Sequence, residues 1–132
     1  MKYLMILLLT SVLSFQGHST DYKKEFNKAL REIKNENYQS ALQLLKSADS
    51  LKQHSKIVFW MSYVYAQLDQ KELSLAYARL SLEYEPELNE EYEFKANQLI
   101  NWGNSSRDSR VSGRFPASDD PPYFEVTNED KL

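Results

Sequence analysis

Small residues recur in this chain at a step of about 33 to 34 positions, the spacing of stacked helical hairpins. Ala29, Ser62 and Ala96 form one series, Ala41 and Ser74 a second, and Ala48 and Ser81 a third. Larger positions keep the step from the second unit to the third, with Val58 to Tyr92, Tyr65 to Leu99, Leu68 to Trp102 and Asp69 to Gly103. A unit of that size cannot bury its apolar face alone, so it must stack on its neighbours. Arrays of this kind present extended surfaces for binding.

Within each unit the apolar spacing is helical. Phe26, Ala29, Leu30 and Ile33 make one stripe of a first helix over 21–35, and Lys23, Lys24, Lys28, Arg31 and Glu32 fill much of the rest. Asn35-Glu36-Asn37 is turn-prone, and Tyr38, Ala41, Leu42, Leu45 and Ala48 stripe a second helix. So short a link predicts an antiparallel pair. The run Ile57-Val58-Phe59-Trp60-Met61, followed by Tyr63, Val64 and Tyr65, is apolar on nearly every side and predicts a central helix. Leu68-Asp69-Gln70-Lys71 turns into a fourth helix. It carries Leu73, Ala76, Tyr77, Leu80 and Tyr84 on one stripe and Leu75, Ala78 and Leu82 on another. Pro86 ends it, because proline has no amide hydrogen and pushes Glu85 out of helical geometry. A fifth helix is expected from Glu87 to Trp102, with acids in its first turns and Gly103 as its stop.

These pairs resemble the tetratricopeptide repeat family, most closely over Lys56 to Pro86. There Met61-Ser62 stands for the large-small pair, Tyr65 for the aromatic and Leu68-Asp69 for the end of the first helix. Ser74, Ala78, Ser81 and Pro86 stand for the second-helix pattern, and Ala29, Ile33, Tyr38, Ala41, Leu45 and Ala48 carry a looser first unit. The resemblance covers about 80 residues and implies an all-α fold, a short solenoid of antiparallel helical hairpins with about five helices. The lone fifth helix would cap the second unit. Ser62 and Ser74 replace the usual glycine and alanine but stay small, whereas Glu36 replaces the glycine often found at the first turn.

In that family the first helix of each pair lines the concave face. The resemblance therefore implies a protein-binding groove of Phe26, Leu30, Phe59, Tyr63 and Asn97, flanked by Lys23 and Lys56, which are placed to meet an acidic peptide. Aromatics make good anchors because they bury much area with few rotors to freeze. They also suit the packing of adjacent hairpins, and both readings stay open. The two-lysine, multi-asparagine clamp that some members use for a carboxylate is incomplete.

Outside the repeats the chain reads differently at its two ends. Lys2, the apolar Tyr3 to Phe15 and the small residues of Gly17-His18-Ser19 form a secretory signal by pattern, with cleavage expected after Ser19. The alternative is an uncleaved N-terminal anchor, the one case in which membrane contact is expected. No cysteine follows the apolar run to carry a lipid. The expected domains are a signal peptide over 1–19, a helical domain over 20–103 and a tail over 104–132. In Asn104 to Leu132, Val111, Phe115 and Val126 are isolated and lack a helical period, which predicts a disordered or loosely docked tail, dispensable for folding.

Composition narrows the function. Loss of Lys2 with the leader leaves 15 basic against 19 acidic residues, a net charge of −4, and neither nucleic acid nor an anionic membrane suits that sign. With no cysteine anywhere, the core must hold by packing alone. His54 is the single histidine left, read as an exposed turn residue, so a nucleophile and base pair or a zinc site lacks its raw material. No catalytic residue, metal or cofactor is therefore expected. Glu83, Glu85, Glu87, Glu90, Glu91 and Glu93 lack calcium-loop spacing and read as a solvated corner. Asn104-Ser105-Ser106 is a formal glycosylation acceptor. Pro121-Pro122-Tyr123-Phe124 has the composition of an extended recognition segment but not the spacing of proline-rich ligands, and is read as chance.

The expected function is an exported adaptor, periplasmic or extracellular, that binds a protein or peptide segment on its concave face and is not an enzyme. The alternative is a structural subunit of a membrane-associated assembly, its apolar faces covered by partners or by self-association.

Overall fold

In the computed structural model, which describes residues 21–105 and 120–132, each apolar stripe becomes a helix. The helices are α1 (Tyr22–Lys34), α2 (Tyr38–Leu51), α3 (Ser55–Gln67), α4 (Lys71–Glu83) and α5 (Glu90–Ser105), and a single 3-10 turn follows at Asn128–Asp130. No strand occurs among the described residues. The expected leader lies outside them.

Two hairpin turns at the same register build the array. At the end of α1 the amides of Asn37 and Glu36 donate to the carbonyls of Glu32 and Ile33 at 2.8 and 2.9 Å, with Glu36 left-handed at φ 62°. At the end of α3 the amides of Gln70 and Asp69 donate to Tyr65 and Ala66 at 2.9 and 3.0 Å, with Asp69 at φ 61°. Both are Schellman closures, which satisfy carbonyls that a helix end would otherwise orphan. Glu36 thus makes the turn that a glycine would make with less strain.

Successive helices pack on one another along the chain, and α3 also touches α5, so α3 sits at the centre. Every residue from Ile57 to Ala66 is buried, as its apolar run predicts. His54 caps α3 by accepting the Lys56 amide on Nδ1 at 3.1 Å, a structural role for a residue read as an exposed turn. Ser55 ties the same end to the turn after α4, its hydroxyl donating to the Pro86 carbonyl and its amide to that of Glu85.

Three expectations change where helices meet. α4 buries Ser74, Leu75, Ala78 and Ser81 and leaves Leu73 and Leu82 exposed, because small residues let its backbone approach α3. The Ser62 hydroxyl donates to the Ser74 carbonyl at 2.8 Å across that contact. Gly103 does not stop α5. It lies inside the helix, where a Cβ would meet the Leu75 Cβ at 3.2 Å, so its small size serves helix packing. α5 starts at Glu90 rather than Glu87 because Asn89 accepts the Tyr92 amide at 2.9 Å as an N-terminal cap.

Of the two states expected for the C-terminal tail, its described residues take the docked one. Of the tail over 104–132, the first two residues belong to α5, and 106–119 lie outside the described residues. Residues 120–132 lie against the helices. They cross the face made by α1, α3 and α5, with Phe124 8% and Asp130 5% exposed.

Candidate peptide-binding groove

Helical geometry puts Phe59, Tyr63 and Gln67 in one row on α3, each one turn from the next. All three meet the C-terminal segment. The Gln67 Nε2 donates to the Pro122 carbonyl at 3.0 Å, and the Phe124 amide donates to the Tyr63 hydroxyl at 3.3 Å. The Phe124 ring lies 5.4 Å from the Tyr63 ring and 6.0 Å from that of Phe59, inclined to them by 30° and 28°. Beneath it, Phe59 meets Trp60 at 5.2 Å and Tyr92 at 5.0 Å edge-on. Offset and edge-on pairs each add about 0.5–1.5 kcal/mol beyond burial.

From α5, Tyr92 closes one side of this floor. Its hydroxyl donates to the Asp130 carboxylate and accepts the Trp60 indole N–H at 3.3 Å. The second Asp130 oxygen accepts the Thr127 amide at 2.7 Å, so the carboxylate both anchors to α5 and closes its own 3-10 turn. Burial, reinforced by the bond to Asp130, pushes the Tyr92 hydroxyl well above the usual tyrosine range. Burial raises the Tyr63 hydroxyl likewise, against the opposing pull of the Phe124 amide. Both phenols therefore stay protonated and neutral.

From α1, Asn27 holds the end of the segment through its backbone. Its Oδ1 accepts the Leu132 amide at 3.0 Å and its Nδ2 donates to the Leu132 carbonyl at 3.4 Å. A cleft of about 370 Å³ remains between α1 and the segment, lined by Leu30, Arg31, Lys34, Val126, Thr127 and Lys131 among others. On the opposite rim the Lys95 Nζ pairs with Glu91 at 3.1 Å and lies 5.6 Å from the Phe124 ring centroid. The Lys56 Nζ sits 5.0 Å over Tyr92.

The seven residues of the expected groove divide accordingly. Phe59 and Tyr63 come together as its floor, and both are fully buried. Leu30 lines the cleft beside the segment, and Phe26 lies in the core. Lys56 edges the floor through Tyr92, Lys23 is exposed on α1 with its Nζ 5.9 Å over Tyr22, and Asn97 is exposed on α5. The aromatics expected to line a groove are core residues of the array, and Phe124 covers the face that they form.

Sequence reasoning missed Asn27, Gln67, Tyr92 and Lys95, and it discounted the Pro-Pro-Tyr-Phe run. Gln67 continues the i, i+4 row of Phe59 and Tyr63, and Tyr92 lies 33 positions after Phe59, although the repeat pairs it with Val58. Asn27 and Lys95 carry no such mark. The six glutamates from Glu83 to Glu93 are all exposed. Among the described residues no group of three or more histidine or acidic side chains is placed to hold a metal, and no helix is long and apolar enough to cross a membrane. Comparison with family models, curated proteins and solved structures finds no match to this chain.

Proposed function

We propose that the chain is an exported, tetratricopeptide-like adaptor that binds a protein segment in extended form along the face of α1, α3 and α5. One observation carries this reading: that face already holds an extended segment, and grips its backbone through the side chains of Gln67, Tyr63 and Asn27. Backbone contacts give affinity with little sequence demand, while a ring pocket supplies selectivity, the division found where domains bind extended peptides. The 33-residue register of the two hairpin turns supports the family likeness.

Photo-crosslinking in the native compartment tests the binding role. A crosslinker at exposed Arg31 or Lys34, which line the open cleft, should trap one partner that a crosslinker at exposed Ser47, on α2, does not. Equal trapping from Ser47, or none from the cleft, refutes it. Export is tested separately by intact mass, which should start at Thr20. A soluble cytoplasmic protein that keeps Met1 refutes it.

A second reading, the structural subunit, has one observation in its favour: Phe94 is 65% exposed on α5, close in sequence to the Leu82, Leu88 and Glu93 cleft. A stable monomer by size exclusion with mass detection counts against it.

A further inference from the structure

The segment in the groove is bound as a ligand is bound. Its residues 121–127 have no regular secondary structure, and the backbone of Pro122 and Phe124 bonds to side chains of the face instead of a ladder. Only Phe124 and Asp130 are buried, while Tyr123 before them and Glu125 and Thr127 between them face solvent. Fourteen residues, 106–119, separate it from α5 in the sequence. The fit is also incomplete, since the cleft of about 370 Å³ stays open along α1.

Charge matches the two sides. The segment carries Asp120, Glu125, Glu129 and Asp130 against Lys131. The face that receives it has Lys95 over Phe124, Lys56 and Lys95 over Tyr92, and Arg31 and Lys34 along the open cleft. α1 as a whole carries five basic residues, Lys23, Lys24, Lys28, Arg31 and Lys34, against Glu25 and Glu32. In a chain of net negative charge the groove is thus a local basic surface.

We propose, resting on the adaptor reading, that residues 120–132 are an intramolecular ligand that closes the groove. The external partner displaces it with a segment of the same chemistry: extended, acidic, with an aromatic ring for the Phe59–Tyr63 floor and an aspartate six residues later for the Tyr92 hydroxyl. Once the tail leaves, Phe59, Tyr63 and Tyr92 lose their cover, so a competitor must supply a ring in exchange. Because the tail belongs to the same chain, its binding is intramolecular and needs no encounter with a second molecule. An outside peptide of equal intrinsic affinity therefore competes at a disadvantage unless it makes contacts the tail omits, and the cleft beside Arg31 and Lys34 offers them.

The test uses the full chain and a fluorescently labelled peptide of residues 120–132. A protease site placed within 110–116 allows the tether to be cut without removing the tail. The intact chain should bind the labelled peptide weakly, and Phe124→Ala should raise the affinity at least tenfold by weakening the internal competitor. Cutting the tether and dialysing should do the same. Peptides with Phe124→Ala or Asp130→Asn should each bind at least tenfold more weakly to the cut protein, and a scrambled acidic peptide should not bind. Equal uptake by the intact, cut and Phe124→Ala proteins refutes the internal ligand while leaving a peptide groove standing. No uptake by cut protein that retains its helicity refutes the groove itself. A concentration-dependent dimer of the intact chain that exchanges its tails between copies, seen by mass and by mixed-label exchange, also refutes it, because the occupant is then a second copy.

Discussion

Replacing Phe124 with alanine removes the one large side chain that the C-terminal segment buries. A phenylalanine side chain carries about 150–250 Å² of surface, and with 8% exposure nearly all of it is withdrawn from water. At about 25 cal/mol per Å² that burial is worth about 4 kcal/mol, of which the alanine methyl recovers a small part. The ring contacts with Phe59 and Tyr63 add to it. Full core truncation would cost about 3–5 kcal/mol. Here the loss is bounded, because the shortened segment can leave the groove and rehydrate instead of spanning a cavity. The expected cost is therefore about 2–4 kcal/mol, a fall in melting temperature on the order of 10–20 °C for a domain of this size. Tyr123→Ala is the matched control, since its ring is 65% exposed and its loss should stay within about 0.5 kcal/mol. Urea unfolding followed by tryptophan fluorescence reads both, as Trp60 lies within 5.3 Å of the Tyr63 ring. If Phe124→Ala unfolds at the same urea concentration as Tyr123→Ala, the segment contributes nothing to the fold and the docked arrangement is wrong.

Four further substitutions probe the helical array. Glu36→Gly and Asp69→Gly relieve left-handed backbone worth about 1–2 kcal/mol each against a glycine entropy cost of about 0.5–1 kcal/mol, so each should stabilise by about 0.5 kcal/mol; loss of stability in urea would show that the turns are held by their side chains. Ser62→Leu should cost about 1–3 kcal/mol by overpacking the α3–α4 contact and deleting the bond to the Ser74 carbonyl, and unchanged unfolding would contradict so close an approach. Burial, followed by the charges of Lys56, Lys52 and Lys23, holds the His54 imidazole below its ordinary value of 6.5. The unfolded chain then takes up the proton first, so this contribution is complete above pH 6.5 and is lost as pH falls through the folded value. The cap itself is worth about 0.5–2 kcal/mol; His54→Asn, which still caps, should flatten the stability profile between pH 7 and 5, and an unaltered slope would assign the acid sensitivity elsewhere.

The helices, their pairing and their turns were legible in the sequence because each rests on interactions within a few residues. The stripe from Phe26 to Ile33, the all-round apolar run from Ile57 to Tyr65 and the polar link at Asn35 to Asn37 state local periodicity, and a helix needs little else to be recognised. The 33-residue step reached one level further, since equal turns at Glu36 and Asp69 follow from equal spacing. Two things were decided only by the tertiary structure. Which face of α4 is buried depends on how closely α3 and α5 approach, so serines and Gly103 go inside while Leu73 and Leu82 stay out. The occupant of the groove depends on contacts such as Tyr63 with Phe124 and Asn27 with Leu132, which bring together residues 61 and 105 positions apart. A segment that engages through one ring and one carboxylate carries no periodic pattern of its own, and its place is set by the surface that receives it.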